Sequence, residues 1–265
     1  MDRSFLFVPG NRPERFDKAL ASGAHAVILD LEDAVAPAHK DEARRAVAAR
    51  LDPQRPVWLR INGADSQWHA EDLAMLGRGG VAGVMLPKAE DPAVLAELHR
   101  RVGPAVPLVP LLESVLGLSR AEGLARAPGV QRLAFGSVDF QLDAGIPGDQ
   151  DELLFARSMI VLASRLAGCL APVDGVTLAL DDAAVLAADV ERSRRLGFGG
   201  KLCIHPRQVG AVNAGFRPPQ SDVDWARRVL QAAEDGGGNA VRLDGKLIDR
   251  PVIDRARALL REAGR

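Results

Sequence analysis

Eight short apolar runs, each followed by a stretch of helical character, constrain the fold of this chain more than any other feature. The runs are SFLFVP (Ser4–Pro9), AVILDL (Ala26–Leu31), PVWLRIN (Pro56–Asn62), AGVMLPK (Ala82–Lys88), PLVPLLE (Pro107–Glu113), VQRLAFG (Val130–Gly136), APVDGV (Ala171–Val176) and GGKLCIH (Gly199–His205). They are apolar throughout rather than alternating, as strands buried on both faces are. The first helix is expected after Asn11, placed to cap it, with Pro13 in its first turn and Gly23 past its end. Further helices are expected over Lys40–Leu51, Asp65–Leu76, Asp91–Arg101, Gly117–Arg126, Asp151–Ala167 and Asp181–Leu196, with a short one from Pro206. Strand–helix alternation means a parallel sheet. Eight units in 265 residues suggest an α/β fold of the closed (β/α)8 type, a TIM barrel. The alternative is an open doubly wound sheet. A G-x-G-x-x-G run after the first strand would favour it, and none is present.

The last fifty or so residues break the repeat. The expected division is a barrel domain over 1–215 and a C-terminal helical extension over 216–265. Phe216–Asp222 reads as a linker, followed by a helix over Val223–Asp235, the Gly-rich stretch GGGNAVRLDGKLIDRP, and a helix over Val252–Ala263. The extension is placed either to cap its own barrel or to pack on a neighbouring subunit.

Charge narrows the partners. With 34 basic and 35 acidic residues, there is no electrostatic footprint for nucleic acid or a membrane surface. No apolar run approaches the roughly 20 residues that span a bilayer. MDRSFLFVPG is too short in its apolar part for a signal peptide. Cys169 and Cys203 form no disulfide or zinc pattern and read as small hydrophobes. A soluble, cytoplasmic protein is expected.

In a barrel of this kind the C-terminal strand ends carry the chemistry. Here those ends supply Asp30, Glu32, Asp33, Arg60, Asn62, Lys88, Glu113, Ser137, Asp139, Asp174 and His205. The opposite ends supply Gly, Pro and Ala, apart from Arg132 and Lys201. That asymmetry points to an enzyme. Carboxylates ending strands five and six suit Mg²⁺, which takes oxygen ligands and keeps open positions. No His/Cys cluster competes for zinc. Arg60 offers a fork for a carboxylate. Each residue also has a plainer reading. Glu113 can be a helix N-terminal acid, Asp139 a cap or turn residue, and Asp30, Glu32 and Asp33 a solvated turn. Arg60 can be a structural ion pair to Asp30 or Glu32, Lys88 the partner of an acid of strand two or three, and His205 a satisfied core histidine.

FVPGNRPERFDKAL, DLEDAV, LRING, LPKAE, PLLES, LAFGSVDF and KLCIHPRQV, in that order, resemble the citrate lyase beta-subunit-like family. That family lies within the HpcH/HpaI aldolases, beside malyl-CoA and citramalyl-CoA lyases. The resemblance covers about residues 4–260. It implies a TIM barrel that cleaves or forms a carbon–carbon bond beside an acyl thioester with Mg²⁺. By resemblance Glu113 and Asp139 are metal ligands, and Glu113 also faces the substrate. Arg60 binds substrate and acts in catalysis, Asp30, Glu32 and Asp33 support the metal site, and Gly136 and Ser137 offer main-chain N–H groups to a substrate carboxylate. The resemblance further implies that Asp249, in KLIDRPV, acts in proton transfer in an adjacent subunit's site, within a trimer or a hexamer. Arg12, Arg15 and Lys18 are candidates for the CoA phosphates. Substrates would be acyl-CoA and a 2-oxo acid. The alternatives are an aldolase for 4-hydroxy-2-oxo acids without CoA, a citrate lyase subunit acting on an acyl-carrier-protein thioester, and a catalytically silent scaffold.

Overall fold

The computed structural model describes residues 2–235 and 241–264. The chain divides into two compact units, Asp2–Asn213 and Ala214–Arg265.

In the first unit eight parallel strands close into a barrel in chain order. They are β1 (Ser4–Pro9), β2 (Ala26–Asp30), β3 (Val57–Arg60), β4 (Val81–Leu86), β5 (Leu108–Leu112), β6 (Ala134–Phe135), β7 (Val173–Asp174) and β8 (Gly200–Cys203). Closure is made by β1 against β8, with Ser4 opposite Lys201 and Leu6 opposite Cys203. The expected TIM barrel is therefore the observed one, and the open sheet is excluded. Phe5, Ile28, Trp58, Met85, Val109, Leu111 and Leu202 fill the interior with smaller residues between them. Phe5 meets Trp58 edge to face at 5.8 Å. Gly83 leaves the space that the Trp58 ring occupies, since a Cβ there would collide with it. The barrel is thus a packed core, and only its rim is open to chemistry.

The connecting helices are α1 (Phe16–Leu20), α2 (Lys40–Arg50), α3 (His69–Leu76), α4 (Pro92–Val102), α5 (Val115–Ser119), α6 (Ala121–Ala125), α7 (Ser137–Ala144), α8 (Leu154–Ala167), α9 (Ala183–Leu196) and α10 (Pro206–Gly215). Several differ from expectation for local reasons. Asn11 does not cap α1; Pro13–Arg15 forms a 3₁₀ turn with Pro13 at its first position, and α1 follows it. The helix expected over Gly117–Arg126 is two short ones, breaking at Arg120, whose N–H is shared between the Leu116 and Gly117 carbonyls. β7 is only two residues long because the Asp174 carboxylate takes the Gly175 N–H at 2.8 Å, removing that donor from the ladder. α7 follows β6 directly and was not expected; it ends at Gly145, whose φ of 67° suits glycine.

The second unit contains α11 (Gln220–Asp235), a hairpin of β9 (Val241–Leu243) and β10 (Lys246–Ile248), and α12 (Arg250–Ala263). Part of the expected linker, from Gln220 on, is helix. Of the Gly-rich stretch, residues 236–240 lie outside the described residues. Its remainder turns at Asp244-Gly245, both with positive φ, a hairpin signal. Ala226, Val229, Ile248 and Ala256 form this unit's own core.

Candidate active site

Strand ends two to six set out one cluster of charges at the C-terminal rim. Asp30, the last residue of β2, is fully buried. It receives Arg60 at the end of β3 through two parallel bonds, Nε to Oδ1 at 2.7 Å and Nη2 to Oδ2 at 2.6 Å. The same carboxylate accepts the Glu32 N–H at 2.9 Å and the Ala34 N–H at 3.2 Å, so it also shapes the turn after β2. Arg60 Nη1 lies 3.0 Å from Glu32 Oε2, and the guanidinium stacks on Phe7 at 4.5 Å. Burial alone would lower the Arg60 pKa; the charge and hydrogen bonds of Asp30, then Glu32 and Glu113, outweigh it and hold the group protonated. Arg60 is thus both the structural ion pair of the plainer reading and a lining residue of the rim cavity. Asp33 is exposed, its side chain in no ion pair among the described residues, so the solvated-turn reading suits it alone of the three acids.

Glu113 follows β5 and is buried. It does not cap the next helix. Ser114 does so, accepting the Gly117 N–H at 3.0 Å. Instead Glu113 Oε1 accepts the Lys88 main-chain N–H at 2.6 Å, and Oε2 lies against Gly136. A Cβ on Gly136 would sit 2.7 Å from both Glu113 Cβ and Oε2, so the missing side chain is what lets the carboxylate lie there. Burial, then the nearby Glu32 charge, pushes the Glu113 carboxyl up to about 8 against the Lys88 N–H and Arg60. Burial likewise pushes Glu32 up to about 7, with Arg60 opposing and Asp33 adding.

Asp139 is half-buried in the first turn of α7, neither cap nor loop. Asp143, one turn on, accepts the Val115 N–H at 2.7 Å and ties α7 to the start of α5. Glu113, Asp139, Arg60, Gly136, Ser137 and Phe7 line one small cavity of about 60 Å³, room for a hydrated ion or a small acid's head group. Among the described residues no three His, Cys, Asp or Glu side chains converge as a full metal cage. The oxygen pair Glu113 and Asp139 lines the cavity and leaves open positions, while Glu32 Oε2 is occupied by the Arg60 guanidinium. A hard, hydrated divalent cation fits such a set; zinc does not.

Other rim residues do different work. Asp174 binds Arg157 at 3.1 Å and Ser193 in a buried network away from the cavity, and Lys201 and Arg157 hold its pKa below the usual carboxylate range against burial. His205 accepts the Arg207 N–H at 3.1 Å and is half-buried, so it is not a core histidine, and it does not line the cavity of Glu113 and Asp139. Asn62 bonds Lys40 and Asp72. Asp249 caps α12, accepting the Val252 N–H at 3.3 Å. Arg12, Arg15 and Lys18 are exposed after β1. Cys203 is buried, whereas Cys169 is only partly so.

Sequence reasoning missed Lys40. Its helix reads as a surface one, yet the ammonium is buried and donates to Leu31 O at 2.7 Å, Glu32 O at 2.8 Å and Asn62 Oδ1 at 2.6 Å. It thereby stitches the loop of Glu32 to the loop after Arg60. No local signal marks it, because its partners lie 8 to 22 residues away.

A model of the HpcH/HpaI aldolase/citrate lyase family matches residues 3–206. The chain belongs to that family. The citrate lyase subunit beta of Escherichia coli K12 is 36% identical, over 98% of this chain and 93% of its own length. A (3S)-malyl-CoA thioesterase of Cereibacter sphaeroides is 34% identical, over 98% and 94%. The crystal structure of CitE from Mycobacterium tuberculosis in complex with magnesium, acetoacetate and coenzyme A superposes with a TM-score of 0.88 at 36% identity, covering all of this chain and 98% of that one. Family membership matches what the sequence motifs imply. Among the described residues no helix is long and apolar enough to cross a membrane.

Proposed function

We propose that this chain is a Mg²⁺-dependent carbon–carbon lyase. It would cleave or form a β-hydroxyacyl-CoA thioester bearing a carboxylate, such as citryl-CoA, malyl-CoA or citramalyl-CoA, giving acetyl-CoA and a 2-oxo acid. The observation that carries this reading is the cavity where Glu113, Asp139 and Arg60 meet. The magnesium and coenzyme A of the M. tuberculosis relative support it.

Glu113 and Asp139 would hold the metal. Bound there, Mg²⁺ supplies Lewis acidity toward a substrate oxygen. Arg60, fixed by Asp30 and Glu32 and turned to the cavity, offsets negative charge developing on a carboxylate or enolate oxygen. The Gly136 N–H is not free for an anion, because it donates to Leu112 O at 2.8 Å between β5 and β6; the first N–H groups of α7, from Ser137 on, are the ones that would favour one. Glu32 and Asp30 orient Arg60; Arg12, Arg15 and Lys18 are candidates for the CoA phosphates. Asp249, brought from an adjacent subunit of a trimer or hexamer, would exchange a proton with the acetyl carbon.

Asp249→Asn tests that last role cleanly. Asparagine caps a helix as well as aspartate does, so α12 should persist while proton chemistry is lost. The expected result is unchanged 2-oxo acid binding with no exchange of acetyl-CoA methyl protons into deuterated water. Exchange at the wild-type rate removes Asp249 from the mechanism.

The acids also set a pH dependence. Glu32 at about 7 and Glu113 at about 8 lie above the ordinary 4.5, so without a divalent ion the folded chain holds more protons than the unfolded one between those values. Stability then falls as pH rises through that window. The metal-free protein should melt lower at pH 8.5 than at pH 6, and Mg²⁺ should raise its melting temperature more at the higher pH. A Mg²⁺ effect independent of pH contradicts these assignments.

The deciding experiment is a panel of CoA thioesters with Mg²⁺, followed for 2-oxo acid release and for free CoA. The malyl-CoA thioesterase relative favours a second reading, hydrolysis of the thioester. Free CoA without acetyl-CoA would select it. Turnover only of free 4-hydroxy-2-oxo acids, or only of an acyl-carrier-protein thioester, would select the other two alternatives.

A further inference from the structure

Lys40, the first residue of α2, is buried, and its ammonium hydrogen-bonds only neutral oxygens. It donates to Leu31 O at 2.7 Å, Glu32 O at 2.8 Å and Asn62 Oδ1 at 2.6 Å, and the Trp68 ring covers it at 5.0 Å. An ammonium has three donors and no acceptor, so these three oxygens use it completely. Burying a charge among neutral acceptors is unfavourable, and an apolar chain would fill the same space. What the ammonium adds is a fixed place for the turn after β2. Asn62 is itself anchored. Its N–H and Nδ2 donate to Asp72 Oδ2 at 2.8 and 2.7 Å, and Asp72 Oδ1 receives Arg44 Nε at 3.0 Å. The Glu32 main chain is therefore moored, through Lys40, to α2 and α3.

That mooring bears on where the Glu32 carboxylate lies. Its Oε2 is 3.0 Å from Arg60 Nη1 and its Oε1 3.8 Å from Lys88 Nζ. Arg60, Glu113 and Asp139 line the rim cavity, and among the described residues Glu32 does not. Glu32 is still near enough for its charge to act on Glu113. Two carboxylates at the cavity leave open positions on a divalent cation for an anionic ligand. A third carboxylate there would take one of those positions and repel the anion.

We propose that Lys40 is a positioning residue of this site: by fixing the Glu32 main chain against Asn62, its ammonium keeps the Glu32 carboxylate on Arg60 and out of the cavity, which stays receptive to an anion. The inference rests on the reading that Glu113 and Asp139 hold Mg²⁺ with a 2-oxo acid beside it.

Its signature is a split between the two ligands. Lys40→Met keeps an apolar stem and removes all three bonds, freeing the Glu32 turn. Mg²⁺ alone, titrated by calorimetry on the full chain, should bind as tightly as in wild type or more tightly. Oxaloacetate in the presence of Mg²⁺ should bind about tenfold more weakly. Adding Glu32→Gln should restore most of that affinity, because the entering group then carries no charge. A merely structural role would weaken both ligands and would not be repaired at Glu32; that outcome, or unchanged oxaloacetate binding, overturns the proposal. Asn62→Ala cuts the same mooring while leaving the Lys40 bonds to Leu31 and Glu32, and should show the same split if the methionine variant fails to fold. A wild-type chain that binds neither Mg²⁺ nor oxaloacetate overturns the underlying reading, and Lys40's role with it. A wild-type chain that binds both, with both variants binding alike, overturns Lys40's role alone.

Discussion

A chain carrying Arg60→Met is expected to lose about 3–5 kcal/mol of folding stability and its turnover together. The stability loss follows from Asp30. That carboxylate is fully buried, and its charge is balanced by the two Arg60 bonds at 2.7 and 2.6 Å. With the guanidinium gone, Asp30 is left buried without its counter-ion, and the Glu32 N–H and Ala34 N–H bonds that depend on it weaken. Methionine fills much of the volume over Phe7, so the loss reads charge rather than a cavity. Urea unfolding measures it. Adding Asp30→Asn should recover a large part of the loss, because the double variant removes the lone charge at the fully buried position and leaves only Glu32 without its Arg60 partner. Turnover should not return with it. A single variant within about 1 kcal/mol of wild type would mean the pair contributes no more than an exposed one does.

Glu113→Gln should have the opposite profile: a fold at least as stable as wild type, with Mg²⁺ affinity reduced about a hundredfold or more. Glu113 is a buried acid held up to about 8, so it is an electrostatic liability to the metal-free fold near neutral pH. Glutamine is nearly isosteric, its amide oxygen can still accept the Lys88 N–H, and it carries no charge to desolvate. What disappears is the anionic oxygen a hard cation requires. Calorimetric titration with Mg²⁺ and thermal melts on the same variant check both halves. Full metal-dependent activity in Glu113→Gln would remove it from the metal site. The two variants together separate groups that hold the barrel from groups that the fold carries for chemistry.

The barrel itself was legible because its signals are local. A strand buried on both faces must be apolar along its length, and PLVPLL or AVIL states that within a few residues. The polar residues that end such runs were legible for the same reason: Arg60 and Glu113 contradict their neighbours. α7 was not legible, because eight residues between two glycine-containing turns carry too little periodicity to separate helix from loop. Nor was the shortness of β7, which depends on one side-chain bond to the Gly175 N–H.

Sequence alone therefore determined the class of fold and the rim on which polar residues collect, and its family resemblance proposed Arg60, Glu113 and Asp139 as the residues of the site. Tertiary structure decided how those residues are held. Lys40, on a helix that reads as solvent-facing, turned out to be a buried tie between two loops. Asp30 and Arg60, 30 residues apart, met as a two-bond pair. Lys88 and Glu113, 25 apart, met through a main-chain donor that no side-chain pattern reports. The reason is physical. Burial periodicity is written into consecutive residues, whereas the partner of a charge is whichever group barrel closure brings within about 3 Å of it.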